Sequence, residues 1–196
     1  MPRLSDGRPP AEPSTGAQHA RRDRILREAG RLGAAHGLER VQMAQVAERA
    51  GVALGTLYRY YPSKHHLFAG LMTDRVAALP APVDLGVDAV ADLLAGACRG
   101  LLARPLLARA MLTSVNVVRA EQTAQGDTTL RDLVLRTAGV ESPTDDDLAL
   151  ARLVEQTTYG VLTWAAAGEI SAEQAEIDVR RACRLLLAAW DRTESS

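Results

Sequence analysis

The chain of 196 residues is 47% hydrophobic, 24% charged and only 4% aromatic, the balance of one or two small globular domains whose core must come from Leu, Val and Ala. Its net charge of −1 splits into +5 over residues 1–75, from 12 Arg/Lys against 7 Asp/Glu, and −6 over residues 76–196, from 11 against 17, which points to a polyanion partner for the first part alone. No apolar run reaches about 18 residues, which argues against a transmembrane helix, a Pro-, Gly- and Arg-rich start argues against a signal peptide, and a cytoplasmic location is expected.

Residues 1–17 contain Pro2, Gly7, Pro9, Pro10, Pro13 and Gly16 and are expected to form a disordered arm. A first helix is predicted over 18–36, with Ile25, Leu26, Ala29 and Leu32 at helical spacing, Arg21, Arg22, Arg24, Arg27 and Arg31 on the polar face, and Gly37 as its stop. Gly30 and Gly33 weaken that helix by roughly 1 kcal/mol each relative to Ala, or else let another helix pack closely. A second helix, Met43–Ala50, turns at Gly51 into a third, Ala53–Tyr60, anchored by Val52 and Leu57. Pro62 breaks the chain, Ser63 caps the next helix, and that helix runs to about Leu79 with Leu67, Leu71, Met72 and Val76 inside. Pro80 and Pro82 mark a junction. Beyond it, helices are predicted at about 86–103, 105–122, 127–138, 146–168 and 172–191, with a capping box at Ser171 and Gln174. Strand signals are lacking, and an all-α fold follows.

Two short helices joined by a glycine turn, in the basic half of the chain, have the form of a DNA-binding helix-turn-helix. The third helix presents Thr, Tyr and Arg where a catalytic site would need carboxylates, His or a nucleophile. Nucleophile elbow, phosphate loop, metal cluster and paired buried acids are all missing, so an enzyme finds little support and no cofactor or metal is expected. His65 and His66 are adjacent and point about 100° apart on a helix, which makes them a surface pair and not a metal site. Asp145, Asp146 and Asp147 precede a helix, where acids complement its dipole. Cys98 and Cys183 lie in apolar helical patterns without CxxC spacing and read as buried thiols. A constitutive architectural DNA binder remains an alternative, although it would have no need of the large acidic helical second part.

On GVALGTLYRYYPSK at 51–64, and more broadly on residues 21–72, the chain resembles the tetracycline-repressor (TetR) family of one-component regulators. The resemblance implies a helical homodimer. Its helix-turn-helix domain would occupy 18–64, a connecting helix and linker 65–82, and a ligand-binding and dimerisation domain 83–196. It also implies a double-stranded DNA operator and release by a hydrophobic small molecule. Gly55 and Thr56 are small enough to let the third helix lie deep in a major groove; Arg59 suits a bidentate guanine contact and Leu54 a thymine methyl. Tyr58 and Tyr60 resemble the family's phosphate contacts. Lys64, the only lysine beside 22 arginines, stands at a helix start, where a phosphate is favoured. Tyr61 matches a core aromatic.

Several residues depart from the family pattern. Gln42 and Ala44 replace a usual Thr and Arg, so the second helix reads less sequence unless Gln45 or Gln42 compensates for the hydrogen bonds Ala44 lacks. Gly33 replaces a usual Phe, and His65-His66 replace the acid that would complete a capping box. A narrower resemblance, in VQMAQVAERAGVALGTLYRYYPSKHHLF, RPLLARAM at 104–111, and the spacing to Ala151-Arg152 and Trp164, is to actinobacterial repressors of sterol and cholesterol catabolism, and implies a steroid-like or acyl-CoA ligand. Met111, Asn116, Tyr159 and Trp164 are the candidate pocket residues, Asn116 because a polar group on an apolar stretch needs a partner if buried. Val154, Val161, Leu185, Leu186 and Trp190 are expected at a four-helix dimer seam with 148–167.

Overall fold

The computed structural model describes residues 15–81, 83–121 and 127–190. Among them are nine helices: α1 (Gly16–Arg40), α2 (Met43–Ala50), α3 (Leu54–Tyr60), α4 (Lys64–Ala77), α5 (Val87–Leu102), α6 (Pro105–Glu121), α7 (Thr129–Ala138), α8 (Asp145–Ala167) and α9 (Ala172–Leu186). The expected arm lies outside the described residues as far as position 14. Its end is helical instead: the Thr15 side chain accepts from the Gln18 backbone N–H at 3.3 Å, and α1 starts at Gly16. α9 is shorter than expected. It stops at Leu186, and the Trp190 indole donates to Asp147 at the start of α8, 2.7 Å away, turning the chain end back onto the bundle.

Local chemistry accounts for most boundaries. α1 breaks at Gly37, which has φ 72° and ψ 170°. Gly51 ends α2 in the left-handed region at φ 64°, ψ 42°, a conformation that glycine adopts without Cβ strain. Ser63 and Ser171 cap α4 and α9 by accepting from the His66 and Gln174 amides. Thr144 and Asp147 form a reciprocal capping box at α8. Pro105 opens α6, where its missing N–H is no loss, and α5 and α6 bend by 112° there. No single described helix is long and apolar enough to cross a membrane.

Packing divides into two cores that meet at α6. One gathers α1–α4 around Ile25, Leu26, Val46, Leu57, Leu67 and Phe68 and takes in Leu107, Ala110 and Met111 of α6. The other joins α5, α7, α8 and α9 around Val90, Leu94, Val134, Val154 and Val179, and takes in Leu112. Three ion pairs, Asp88–Arg184, Asp92–Arg180 and Arg99–Glu176, run along the solvent edge between α5 and α9. Beneath them Cys98 and Cys183 are buried free thiols. Burial pushes them up to about 12 and about 11 respectively, so both stay protonated and unreactive at neutral pH.

Gly33, one of the departures from the family pattern, has a packing reason. A Cβ there would stand 2.5 Å from the Phe68 ring and 3.0 Å from a Leu107 methyl. The chain's single Phe is therefore on α4, filling from the opposite side the space that a Phe on α1 would take. Gly33→Ala is expected to destabilise the fold by about 1–3 kcal/mol through overpacking. Gly96→Ala, where a Cβ meets nothing within 4 Å, is expected to gain about 1 kcal/mol of helix propensity. Chemical denaturation of the two variants beside the parent checks both signs.

Candidate nucleic-acid face and ligand cavity

The third helix has an outside and an inside. Leu54, Gly55, Tyr58 and Arg59 are exposed and Thr56 is half-buried, while Leu57 and Tyr60 are buried. Positions 54, 55, 58 and 59 are neighbours on successive turns of one helix face. A Cβ on Gly55 would meet nothing within 4 Å, which leaves that face shallow enough for a close approach. The Arg59 guanidinium lies 5.7 Å from the Tyr60 ring centroid, a stacked position that limits its rotamers. On α2, Gln45 is half-buried and Ala44 is exposed; Gln42 is exposed at the N-cap, its side chain making no capping bond.

Two expected phosphate contacts are placed differently. Tyr60 is 4% exposed and packs in the core beside Tyr61, ring centroids 6.5 Å apart. The helical period turns its side chain inward with Leu57, so only Tyr58 of the pair stands on the outer face. Lys64 directs its ammonium to the Leu38 and Glu39 carbonyls, at 3.1 and 3.5 Å. It caps the end of α1 and joins it to the start of α4. Two of the arginines on α1 also work internally: Arg24 donates to the Ala50 carbonyl at 3.2 Å, and Arg22 pairs with Asp74 of α4 at 3.0 Å. Arg27 and Arg31 remain on the exposed basic face.

The inside of the same head opens on a cavity of about 970 Å³, walled by α4, α5, α6 and α8 together with Tyr60 and Tyr61. That volume suits a drug-sized or larger ligand. Apolar side chains dominate the wall, among them Met72, Val76, Leu94, Leu101, Leu107 and Leu162. Met111 and Tyr159 line it. Asn116 and Trp164 do not. Asn116 is exposed on the outer side of α6, where water solvates its amide, and Trp164 is 59% exposed on α8. An apolar stretch gives no phase by itself, and both residues fall on the opposite side from the one assumed.

Sequence reasoning missed the polar end of this cavity. Glu155 is 4% exposed, and its two oxygens accept from Arg119 Nη2 and Arg131 Nε, each at 2.5 Å. Arg119 lies over the Tyr159 ring at 5.2 Å, and the Tyr159 hydroxyl donates to the Leu112 carbonyl. The signal was readable: Ala151, Glu155, Thr158 and Leu162 share the buried stripe of α8, and an acid in such a stripe requires a partner. Asp127 accepts from Thr129 and, across to α4, from the Thr73 hydroxyl at 2.5 Å. The buried Tyr61 hydroxyl, facing the Arg22–Asp74 pair, has no partner at hydrogen-bond geometry among the described residues. Its pKa is pushed up to about 12, chiefly by burial.

Leu153 and Trp164 of α8 and Ile177 and Leu185 of α9 are exposed, and a Cβ on Gly160 of α8 would meet nothing within 4 Å. Of the residues expected at a dimer seam, Leu185 is 72% exposed, Val161, Leu186 and Trp190 are half-buried, and Val154 is interior. The period of α8 turns Val154 into the chain's own core beside Ala151.

Comparison with known proteins adds independent observations. A family model described as "Bacterial regulatory proteins, tetR family" matches residues 25–71, and one described as "Tetracyclin repressor-like, C-terminal domain" matches 86–186. The HTH-type transcriptional repressor KstR of Rhodococcus jostii is 36% identical over 149 residues, 72% of this chain and 70% of that protein. KstR of Mycobacterium tuberculosis is 30% identical over 191 residues, 92% and 87% of the two chains. A crystal structure of a TetR transcriptional regulator from Rhodococcus sp. RHA1 superposes with a TM-score of 0.78 at 42% identity, covering 87% of this chain and 97% of that one.

The link between Asp127 and Thr73 carries a pH signature. Partial burial raises the Asp127 carboxyl, but hydrogen bonds from Thr129 and Thr73, with the Arg119 charge behind them, outweigh it and hold the group below its ordinary 3.8. A depressed folded-state pKa means the stabilisation is complete above the unfolded value and is lost as pH falls through the folded one. The parent is therefore expected to lose stability below about pH 4 more steeply than Asp127→Asn. Urea midpoints measured from pH 7 downward decide it: parallel acid limbs would leave this carboxyl without a role.

Proposed function

The chain belongs to the tetR family of bacterial regulatory proteins, and we propose that it is a homodimeric repressor that holds a double-stranded DNA operator through α2 and α3 and is released by an apolar small molecule in the cavity. The observation that carries this reading is the double use of one segment. Residues 54–59 expose Leu54, Gly55, Tyr58 and Arg59 to the outside, while Tyr60 and Tyr61, the very next residues, wall the cavity. A ligand in the cavity touches the base of the reading helix directly, and it also touches α4, which is tied to α1 by the Arg22–Asp74 pair. Filling the cavity therefore changes the same contacts that set the angle of α3. Coupling between two such sites is typically about 1–3 kcal/mol and reciprocal.

Roles on the DNA side follow from exposure. Arg59 reads a base edge, with Leu54 against a thymine methyl and Gly55 and Thr56 at the closest approach. Gln42, Gln45 and Tyr58 contact the backbone or adjacent bases. Lys64 acts on the DNA side indirectly, by tying the end of α1 to the start of α4. The KstR relatives are transcriptional repressors by name, which supports repression over activation. Their resemblance favours a steroid-like or acyl-CoA effector, and the cavity has the volume for either body. A cytoplasmic location fits this work.

The test is fluorescence anisotropy with operator and random duplexes. Arg59→Ala is expected to cost about 1–3 kcal/mol per half-site on the operator and little on random DNA, whereas Lys64→Ala weakens both alike. Equal losses for Arg59→Ala on the two duplexes would remove it from base reading.

Dimerisation uses the outward faces of α8 and α9, which expose Leu153 and Trp164 on one helix and Ile177 and Leu185 on the other, with open space at Gly160. An isologous seam of two helices from each copy buries all five positions at once. The wild-type chain is expected to sediment as a dimer at micromolar concentration, and Leu185→Glu to shift it toward the 21.0 kDa monomer. A monomeric wild type would overturn the assembly.

A further inference from the structure

Arg59 is the only cation of α3, and it is held differently from the arginines behind it. Arg22 pairs with Asp74, Arg24 donates to the Ala50 carbonyl and Arg31 pairs with Glu28. Among the described residues Arg59 has no such bond, and its guanidinium lies over the Tyr60 ring, 5.7 Å from the centroid. That ring is itself fixed. Tyr60 is 4% exposed and packed in the core of the head, with the Tyr61 ring tilted by 41° beside it. Tyr61 is held from behind by α4, where a Cβ on Gly70 would stand 2.7 Å from a Tyr61 ring carbon. A contiguous line of contacts thus runs from the α4 backbone through two rings to the charged group of the reading helix. A free arginine gives up several rotors when it docks on a base edge. A guanidinium already stacked on a buried ring gives up fewer.

We propose that Tyr60 is a specificity-determining residue that acts from inside the protein, by holding the Arg59 guanidinium in the orientation that reads a base edge. The proposal rests on the reading of Arg59 as a base reader and adds what aims it. Tyr60 touches no base and is a positioning residue. Its contribution falls on discrimination between sequences and not on affinity at large, because attraction to phosphates depends on charge and little on which rotamer Arg59 takes. The stacking surface is the ring and not the hydroxyl, so a Phe at this position keeps Arg59 aimed and an aliphatic side chain does not. The same ring walls the cavity, so one side chain borders both the effector site and the base reader.

The test compares two affinities of the full chain, one for the operator that wild type selects from a pool of random duplexes and one for a random duplex. Anisotropy gives their ratio for wild type, Tyr60→Phe, Tyr60→Leu, Arg59→Ala and the double variant Tyr60→Leu/Arg59→Ala. Tyr60→Leu is expected to lower the ratio about two- to fivefold per half-site, the size of one exposed cation–π contact, with random-duplex affinity unchanged. Tyr60→Phe is expected to retain the wild-type ratio. In the Arg59→Ala background Tyr60→Leu is expected to cost nothing further, because no guanidinium is left to aim. An equal further loss in that background would mean that the ring only supports α3, and overturns the positioning role. A wild-type ratio in Tyr60→Leu, or a ratio in Tyr60→Phe as low as in Tyr60→Leu, overturns it too. A second measurement needs no folded Tyr60 variant: nitrogen relaxation of the arginine Nε–H groups in wild type, with the Arg59 signal assigned by its loss in Arg59→Ala. Arg59 is expected to be more ordered than Arg27, an exposed arginine of α1, and equal mobility overturns the stacked orientation. Equal losses on operator and random duplex in Arg59→Ala overturn the base-reading premise, and a wild type that selects no operator overturns the repressor reading with it.

Discussion

The DNA-reading head cannot close its own core, and the rest of the structure depends on how that deficit is met. Its α2 and α3 have 8 and 7 residues, lengths at which an isolated helix is marginal in water and survives only by tertiary packing. A head with two such short helices leaves an apolar opening, and α6 fills it with Leu107, Ala110 and Met111. The next residue, Leu112, belongs to the other core. One continuous helix thus contributes successive residues to both halves of the molecule. The halves are joined by packing as well as by the chain, and a disturbance on the cavity side of α6 is felt in the head without an intervening flexible link.

The polar groups follow the same logic on a smaller scale. Along the α5–α9 edge the ion pairs stand in solvent and add little to stability; the seam is held by Val90, Leu94, Cys98, Val179 and Cys183 beneath them. Glu155 is the opposite case. A carboxylate taken out of water costs more than its partners easily return, and a packed aliphatic at position 155 would serve the fold at least as well.

Much of this was legible from residues, and the successes share a cause. The boundaries at Gly37, Gly51, Ser63, Pro105 and Ser171 are set within three or four residues of chain, so local chemistry announces them. The outer face of α3 follows from its period once Leu57 is taken as the inward anchor. Failures occurred where phase or partner was non-local. Tyr60 was read outward beside Tyr58 while Tyr61 alone was read inward, and the structure buries both Tyr60 and Tyr61. Asn116 and Trp164 lie on helices with apolar residues on more than one side, and only the neighbouring helices decide which side is the chamber. Lys64 looked like a free cation at a helix start until the carbonyls of Leu38 and Glu39, 26 and 25 residues away, came beside it. Gly33 was puzzling in isolation and simple once Phe68 stood opposite.

Lys64 has one more consequence, which belongs to reactivity and not to binding. It carries the sole side-chain amine in a sequence whose other 22 strong cations are all guanidiniums. Acylating reagents that ignore arginine thus find a single side-chain address, and that address is the elbow where the end of α1, the start of α4 and the foot of the reading helix converge. Such coupling needs no engineered cysteine and leaves Cys98 and Cys183 untouched. The same chemistry makes the elbow a natural point of vulnerability. Loss of one positive charge by acylation would cut the tie to the Leu38 and Glu39 carbonyls and loosen the head at its hinge in a single covalent event.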